Sequence, residues 1–421
     1  MRLFSALMLA ALPLAAQHDM SNMPGMQGMH DMKNMPGMEN MPGMTDTEPM
    51  EASGTSVNPA SSPMAMIHLN THRWTLMLHG EAFVMDIQQT GPRGADKLAS
   101  VSWIMGEAEH PLAGGTFAIR TMLSLDPATV TGREYPELFQ TGETAFGKAI
   151  IDGQHPHNFV MEAALRYTHR LTPHTSWELY GAPVGDPALG PVAFPHRVSA
   201  EELPQATLAH HLEDSTHVSY DVVTAGLTYR IFRLEASGFH GAEPGENRWN
   251  VGYGAIDSWS GQLAMTPTPN WSAQVSAGHL TQPEALEPGD QNSMTASATY
   301  NRPYSGGNWA TSFIWGRVHK LSDRANLDGY TLESVARFAS RNYLTGRWEL
   351  VDKDELSVPG QYRISATTGG YTRDFRLIPR LVTGLGFNFT GYTMPAALHQ
   401  IYGQHPIAAL VFVRFRLREA S

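Results

Sequence analysis

Methionine recurs at every third residue behind the N-terminus, at Met20, Met23, Met26, Met29, Met32, Met35, Met38, Met41 and Met44. A step of three fits neither a helix nor a strand, so packing against a core does not account for it. Thioether chemistry does, because soft, neutral sulfur is the donor that monovalent copper prefers. Three copies of Met-Pro-Gly-Met, at 23–26, 35–38 and 41–44, have the residue types of a type II β-turn. Such a turn brings its end Cα atoms within about 7 Å, so both flanking sulfurs reach one ion. A polyproline II tract would instead place every methionine on one face, about 9 Å apart, presenting sulfur without chelating. His18 and His30 add imidazoles, which suit copper in either oxidation state. The tract therefore predicts capture of Cu(I), and of Ag(I) as a second ion, with an oxidation-absorbing tether as the alternative use of so much methionine.

Histidine is the other donor to weigh, with 19 in the chain. His155 and His157 fall in DGQHPHNF just before a strand, where His-x-His can point both rings the same way. His210, His211 and His217 crowd one long loop with Glu213 and Asp214, and the same loop holds His196. His79 shares its strand phase with Met77, Glu81 and Met85. These are secondary metal candidates, against the plainer reading of polar loop filler and pore lining. Their spacings match no structural zinc pattern, and no HExxH occurs. No G-x-S-x-G or other nucleophile context is present, so no enzyme is expected. Glu162–Arg166 and Glu333–Arg337 read as charge pairs facing a lumen.

The elements that would position these donors follow from composition and patterning. The 421-residue chain has no cysteine, which removes disulfides and thiolate sites. Its 29 basic against 40 acidic residues give a net charge of −11, which disfavours nucleic acid and is compatible with cations. Residues 1–16 read as a secretory signal peptide, with Arg2 before an apolar run that ends at Ala15-Ala16. Residues 17–50 form the Met/His-rich tail, expected to be disordered, and the Pro/Ser/Gly-biased stretch 51–70 reads as a linker. No later segment approaches 18 consecutive apolar residues, which excludes an α-helical membrane protein.

From Thr71 to the end, segments of about ten residues alternate apolar and polar between turn residues. In RLVTGLGFNFTGY, Leu385, Phe387 and Phe389 oppose Gly384, Gly386 and Asn388; in ALVFVRFRLR, Val411, Val413 and Phe415 oppose Arg414 and Arg416. In HNFVMEAALRYTHR, Met161 takes the apolar phase with Phe159 and Leu165. The pattern predicts strands near 72–86, 97–109, 115–125, 158–171, 174–183, 216–230, 232–241, 256–266, 270–280, 292–301, 308–319, 329–339, 342–351, 361–373, 379–393 and 406–418. Connections alternate between short turns and longer loops, the mark of an outer-membrane barrel with one short-turn rim and one long-loop rim. The fold expected over 71–421 is an all-β transmembrane barrel of about 16 antiparallel strands, with both termini on the periplasmic, short-turn side. Trp and Tyr at strand ends suggest aromatic girdles. A soluble sandwich or propeller is the competing class, but no blade repeat is present. One departure is the C-terminus, Arg418-Glu-Ala-Ser, where many such barrels end on an aromatic residue.

A signal peptide, a Met/His/Gly/Asp-rich segment such as MQGMHDM and NMPGM, and then an outer-membrane barrel resembles the B component of bacterial copper-resistance operons. The resemblance in residues covers about 18–50 and carries over no pore residue. It implies an outer-membrane location, copper as the bound ion, and periplasmic copper carriers or oxidases as partners beside the lipid. The expected function is copper binding or copper resistance at the outer membrane. A general porin or solute channel with an incidental tail is the alternative, and an outer-membrane hydrolase the third reading.

Overall fold

The computed structural model describes residues 50–63 and 65–418; the signal peptide and the whole methionine tract, with His18 and His30, lie outside the described residues. Sixteen long strands close into an antiparallel ring. They are β1 (Thr75–Gln89), β2 (Lys97–Leu112), β3 (Gly115–Leu123), β4 (Val160–Thr172), β5 (Thr175–Gly185), β6 (Ser219–Tyr229), β7 (Phe232–His240) and β8 (Ser258–Thr268). The second half comprises β9 (Trp271–Leu280), β10 (Gln291–Tyr304), β11 (Gly307–Lys320), β12 (Asn326–Phe338), β13 (Asn342–Lys353), β14 (Tyr362–Ile378), β15 (Leu381–Thr393) and β16 (Ile407–Leu417). Each neighbour in the ring is the next in sequence, and β16 returns to pair with β1 over Glu81–Gln89. Each strand falls where the alternation predicts it. The two chain ends of the ring lie on the short-turn rim, as an even strand count requires.

The two faces of each strand meet different solvents. Leu227, Leu234 and Leu263 oppose one another in register across β6, β7 and β8, and all three are exposed on the outer face. Trp271 and Tyr300 are directly opposed near the short-turn rim, with ring centroids 4.8 Å apart. An apolar outer belt flanked by aromatic rings is what a bilayer demands of a spanning sheet. The inner face is polar: Ser312, Thr331, Glu333, Arg347, Thr372 and Arg414 all point inward and are buried.

That burial has two causes, and neither is visible in the strand pattern. The connection 186–218, between β5 and β6, turns into the lumen rather than away from the barrel. Its short helical turn His210–Glu213 seats against β11 and β12, where Gly316 and Gly329 face each other in register. A Cβ at Gly316 would lie 2.1 Å from the Leu212 carbonyl oxygen, so the glycine pair makes the seat. Arg347 Nη1 donates to the carbonyls of Gln205 and Ala206, and Leu208 N donates to Glu349 Oε1 at 2.6 Å.

The second filler is the segment 50–63. Residues 51–70 were expected to be a linker; they are folded instead. Met50–Glu51 and Val57–Asn58 form a small hairpin inside the ring. Arg120 Nη1 donates to the Ala52 and Gly54 carbonyls at 2.8 and 2.9 Å, and Ser53 Oγ donates to Asp186 Oδ2. Residues 66–70 then pair with the first five residues of β1. Pro/Ser/Gly bias suits a tight hairpin as well as a flexible tether, and lumen charges decided between them.

Two finer expectations also change. Met161 is buried inward because the β3–β4 pairing slips from Met122↔Glu162 to Leu123↔Val160, leaving Met161 as a bulge residue. The expected same-strand pairs do not form as expected. Glu162 instead faces Arg120 at 3.7 Å, and Glu333 takes Arg197 and Arg347. Residues four apart on a strand stand about 13 Å apart, so lumen charges pair with neighbouring strands or loops.

Candidate functional site

The five histidines named as secondary candidates come from two separate loops, and the fold gathers all five. His155 and His157 lie in the β3–β4 connection; His210, His211 and His217 lie on the inward loop. The rings run continuously: His155 is 5.7 Å from His211 and 5.8 Å from His210, centroid to centroid. His210 is 5.1 Å from His211 and 5.2 Å from His217, which stands 5.6 Å from His157. His155, His210 and His217 are buried, and His157 and His211 partly so.

Three of them are close enough to share an ion. One ring nitrogen from each of His155, His210 and His211 lies within 4.8 Å of the other two. His210 Nδ1 sits 2.7 Å from Asp214 Oδ1, and His211 Nδ1 sits 3.2 Å from Glu243 Oε1. A carboxylate on Nδ1 fixes the tautomer and turns the Nε2 lone pair outward, the arrangement that orients metal-ligating histidines. His155 Nε2 and His211 Nε2, with His217 Nε2, are buried and have no hydrogen-bond partner. Glu143 Oε1 is 3.2 Å from His155 Nε2 but out of line for a hydrogen bond, and its other oxygen is ion-paired with the buried Arg248. Burial drives the His155 pKa well below its usual value and takes His211 to about 4 and His217 to about 3, leaving the neutral, ligating form. A cavity of about 30 Å³ opens beside His211, between Gly142, Lys353 and Glu355. That is about the volume one water takes in the liquid.

The hairpin Tyr135–Ala145 and Lys148–Gln154 presses this cluster down from the long-loop side. Glu143 adopts φ 59° and Gly142 φ 113°, left-handed conformations that aim the Glu143 carboxylate at the cluster. A Cβ on Gly142 would meet the His211 ring at 2.4 Å, so only glycine lets the hairpin close on it. Sequence reasoning missed Glu143, which the hairpin folds back onto the histidines of its own connection, and Glu243, which comes from the β7–β8 connection.

The closed antiparallel ring, apolar outside and polar inside, defines a porin-like β-barrel of the outer-membrane type. No family model matches the chain, and no curated protein matches it. Among solved structures it is similar to OmpF of Salmonella typhi, solved in complex with daunomycin, at TM-score 0.53 and 9% identity over 83% of this chain and 100% of that one. It also aligns with OprB of Pseudomonas putida, at TM-score 0.49 and 8% identity over 82% and 94% of the two chains. An anion-selective porin from Comamonas acidovorans aligns at TM-score 0.47 and 10% identity over 82% and 100%. At such identities the likeness is one of fold, and the OmpF alignment carries it.

Proposed function

We propose that the protein is an outer-membrane channel, held shut by its own loop and hairpin, that binds and passes transition-metal cations, with copper the preferred ion. The observation that carries this reading is the convergence of ring nitrogens from His155, His210 and His211, with the buried Nε2 atoms of His155 and His211 unpartnered. Imidazole suits copper, zinc and nickel alike, and the methionine tract narrows the choice, since thioether sulfur selects Cu(I). On this reading the tail binds Cu(I) or Ag(I) in the periplasm through Met20 to Met44, with His18 and His30, and the lumen histidines form a station further along.

The test is a metal titration of the full chain in detergent. Cu(II) is expected to bind at a site that the triple change His155→Ala, His210→Ala, His211→Ala removes. Unchanged Cu(II) affinity in that variant would overturn the lumen station. Replacing the nine tract methionines by serine separately tests the tail, through loss of Cu(I) capacity. A second reading, a general solute channel, is favoured by the porin-like ring. It predicts a large, ion-nonspecific conductance in planar bilayers that is indifferent to both sets of substitutions.

A further inference from the structure

A row of soft donors crosses the first strands inside the barrel, separate from the imidazole trio. His79 of β1 faces Met105 of β2 in register, and Met105 faces Met122 of β3. Directly opposed residues on antiparallel strands hold their Cβ atoms about 5 Å apart, so the three side chains are neighbours on the lumen wall. The inward loop supplies a fourth: His196 Nε2 lies 3.1 Å from Met122 Sδ. Trp103 stands edge-on between the two imidazoles, 4.6 Å from His79 and 4.3 Å from His196. Met105, Met122 and Met161 are all buried in this one cluster.

Packing alone does not explain the row. A leucine fills space as well as methionine, and an imidazole nitrogen aimed at sulfur gains only a weak acceptor. The next position along the row is Glu162, in register with Met122. Its carboxylate is buried: Oε1 accepts from Tyr180 and the Gly54 N–H and stands 3.7 Å from Arg120 Nη1, while Oε2 has no hydrogen-bond partner. A carboxylate oxygen with spare accepting capacity, beside neutral sulfur and nitrogen donors, suits a cation of single charge.

We propose that Met105, Met122 and His196 form a thioether–imidazole site in the lumen for a soft monovalent cation, Cu(I) or Ag(I), with Glu162 balancing its charge and Trp103 as its aromatic wall. The proposal rests on the metal-channel reading and gives it a second station, built from different residues and selective for a different oxidation state. Thioethers disfavour the borderline divalent ions, such as zinc and nickel, that imidazole alone accepts.

Silver ion is the probe, because it holds one oxidation state. The protein is the full chain with the nine methionines of 20–44 replaced by serine, so that the tail takes no silver. It is expected to keep one saturable Ag(I) site whose filling quenches Trp103 fluorescence, a change that Trp103→Phe removes. Met122→Leu and His196→Gln should each weaken Ag(I) binding by at least about tenfold, the scale that outer-ligand changes alone reach at metal sites. Met105→Leu, a swap of similar volume, serves if either variant fails to fold. Absence of a saturable Ag(I) site, or full affinity in the folded variants, overturns the proposal. The His155, His210 and His211 triple variant should keep Ag(I) while losing Cu(II), so either station can fail without the other.

Discussion

Arg197 of the inward loop donates through Nε to Glu333 Oε1 of β12 at 2.6 Å, with both side chains buried. Ser199 Oγ donates to the same oxygen at 2.8 Å, and Arg347 Nε of β13 donates to Oε2 at 3.2 Å. The Glu333 carboxylate is therefore one of the ties of the loop to the wall, beside Arg347, Glu349 and Arg414. Glu333→Gln leaves two buried guanidinium groups facing a neutral amide, and removing one partner of a buried pair costs about 3–5 kcal/mol. The loop should detach, with a rise in single-channel conductance and faster proteolysis within 186–218. A variant with wild-type conductance and wild-type cleavage would show that the loop is held elsewhere.

The lumen hairpin depends on Gly54, which adopts φ 57° and would place a Cβ 2.4 Å from the Asp186 carbonyl oxygen. Gly54→Val combines backbone strain of about 1–3 kcal/mol with that clash. Hydrogen exchange should report lost protection over 50–58 while β1 to β16 keep theirs. Retained protection of the hairpin would contradict the geometry.

On the long-loop rim, Lys320 Nζ holds Asp354 at 2.9 Å and Glu355 at 3.3 Å, and also reaches Glu287. Burial raises the Glu284 and Glu355 carboxyls from 4.5 to about 7. A carboxyl whose folded pKa is raised contributes stability that is complete below the unfolded value and lost as pH rises through the folded value. Loops 281–290 and 354–361 should be tightest near pH 4.5 and loosen toward pH 7. Exchange protection of these two loops, corrected for intrinsic rate, checks this; protection that is flat or climbs with pH defeats it.

Leu234→Arg places a charge on the lipid face between Leu227 and Leu263. Arginine on the lipid face costs about 2–4 kcal/mol at the bilayer midplane and about 0–1 near the interface; Leu234, the third residue of β7 after its turn from β6, falls toward the lower end. Denaturant unfolding in lipid should show that loss. No loss would mean this face does not meet acyl chains.

The ring was legible in the sequence because lipid outside and polar groups inside impose a two-residue period on every strand. Alternating loop lengths then fixed the rims. The fillers were not legible. Arg197, Glu201 and Glu202 read as any polar surface loop, and only Glu333, Arg414 and the Gly316–Gly329 seat show where they belong. The five histidines were marked by residue type, but their convergence needed two loops to fold onto each other. Met122 shares the strand phase of Arg120 and Ser124, which marks it as inward. Its neighbours His79, Met105 and His196 follow only from register and from the loop's path.

The first strand has a divided edge: residues 66–70 cover Thr75–His79, and β16 covers Glu81–Gln89. The cylinder is thus latched by both ends of the chain at once. An exposed strand edge in hydrocarbon leaves several unsatisfied amides, each costing several kcal/mol. The last strand alone leaves the lower part of that edge bare. Hairpin 50–58 precedes the latch in the chain and sits within the ring, so the segment that plugs the lumen also continues into the one that covers the edge. The seam is therefore a closure in two parts, complete only when the N-terminal segment and the C-terminal strand have both docked.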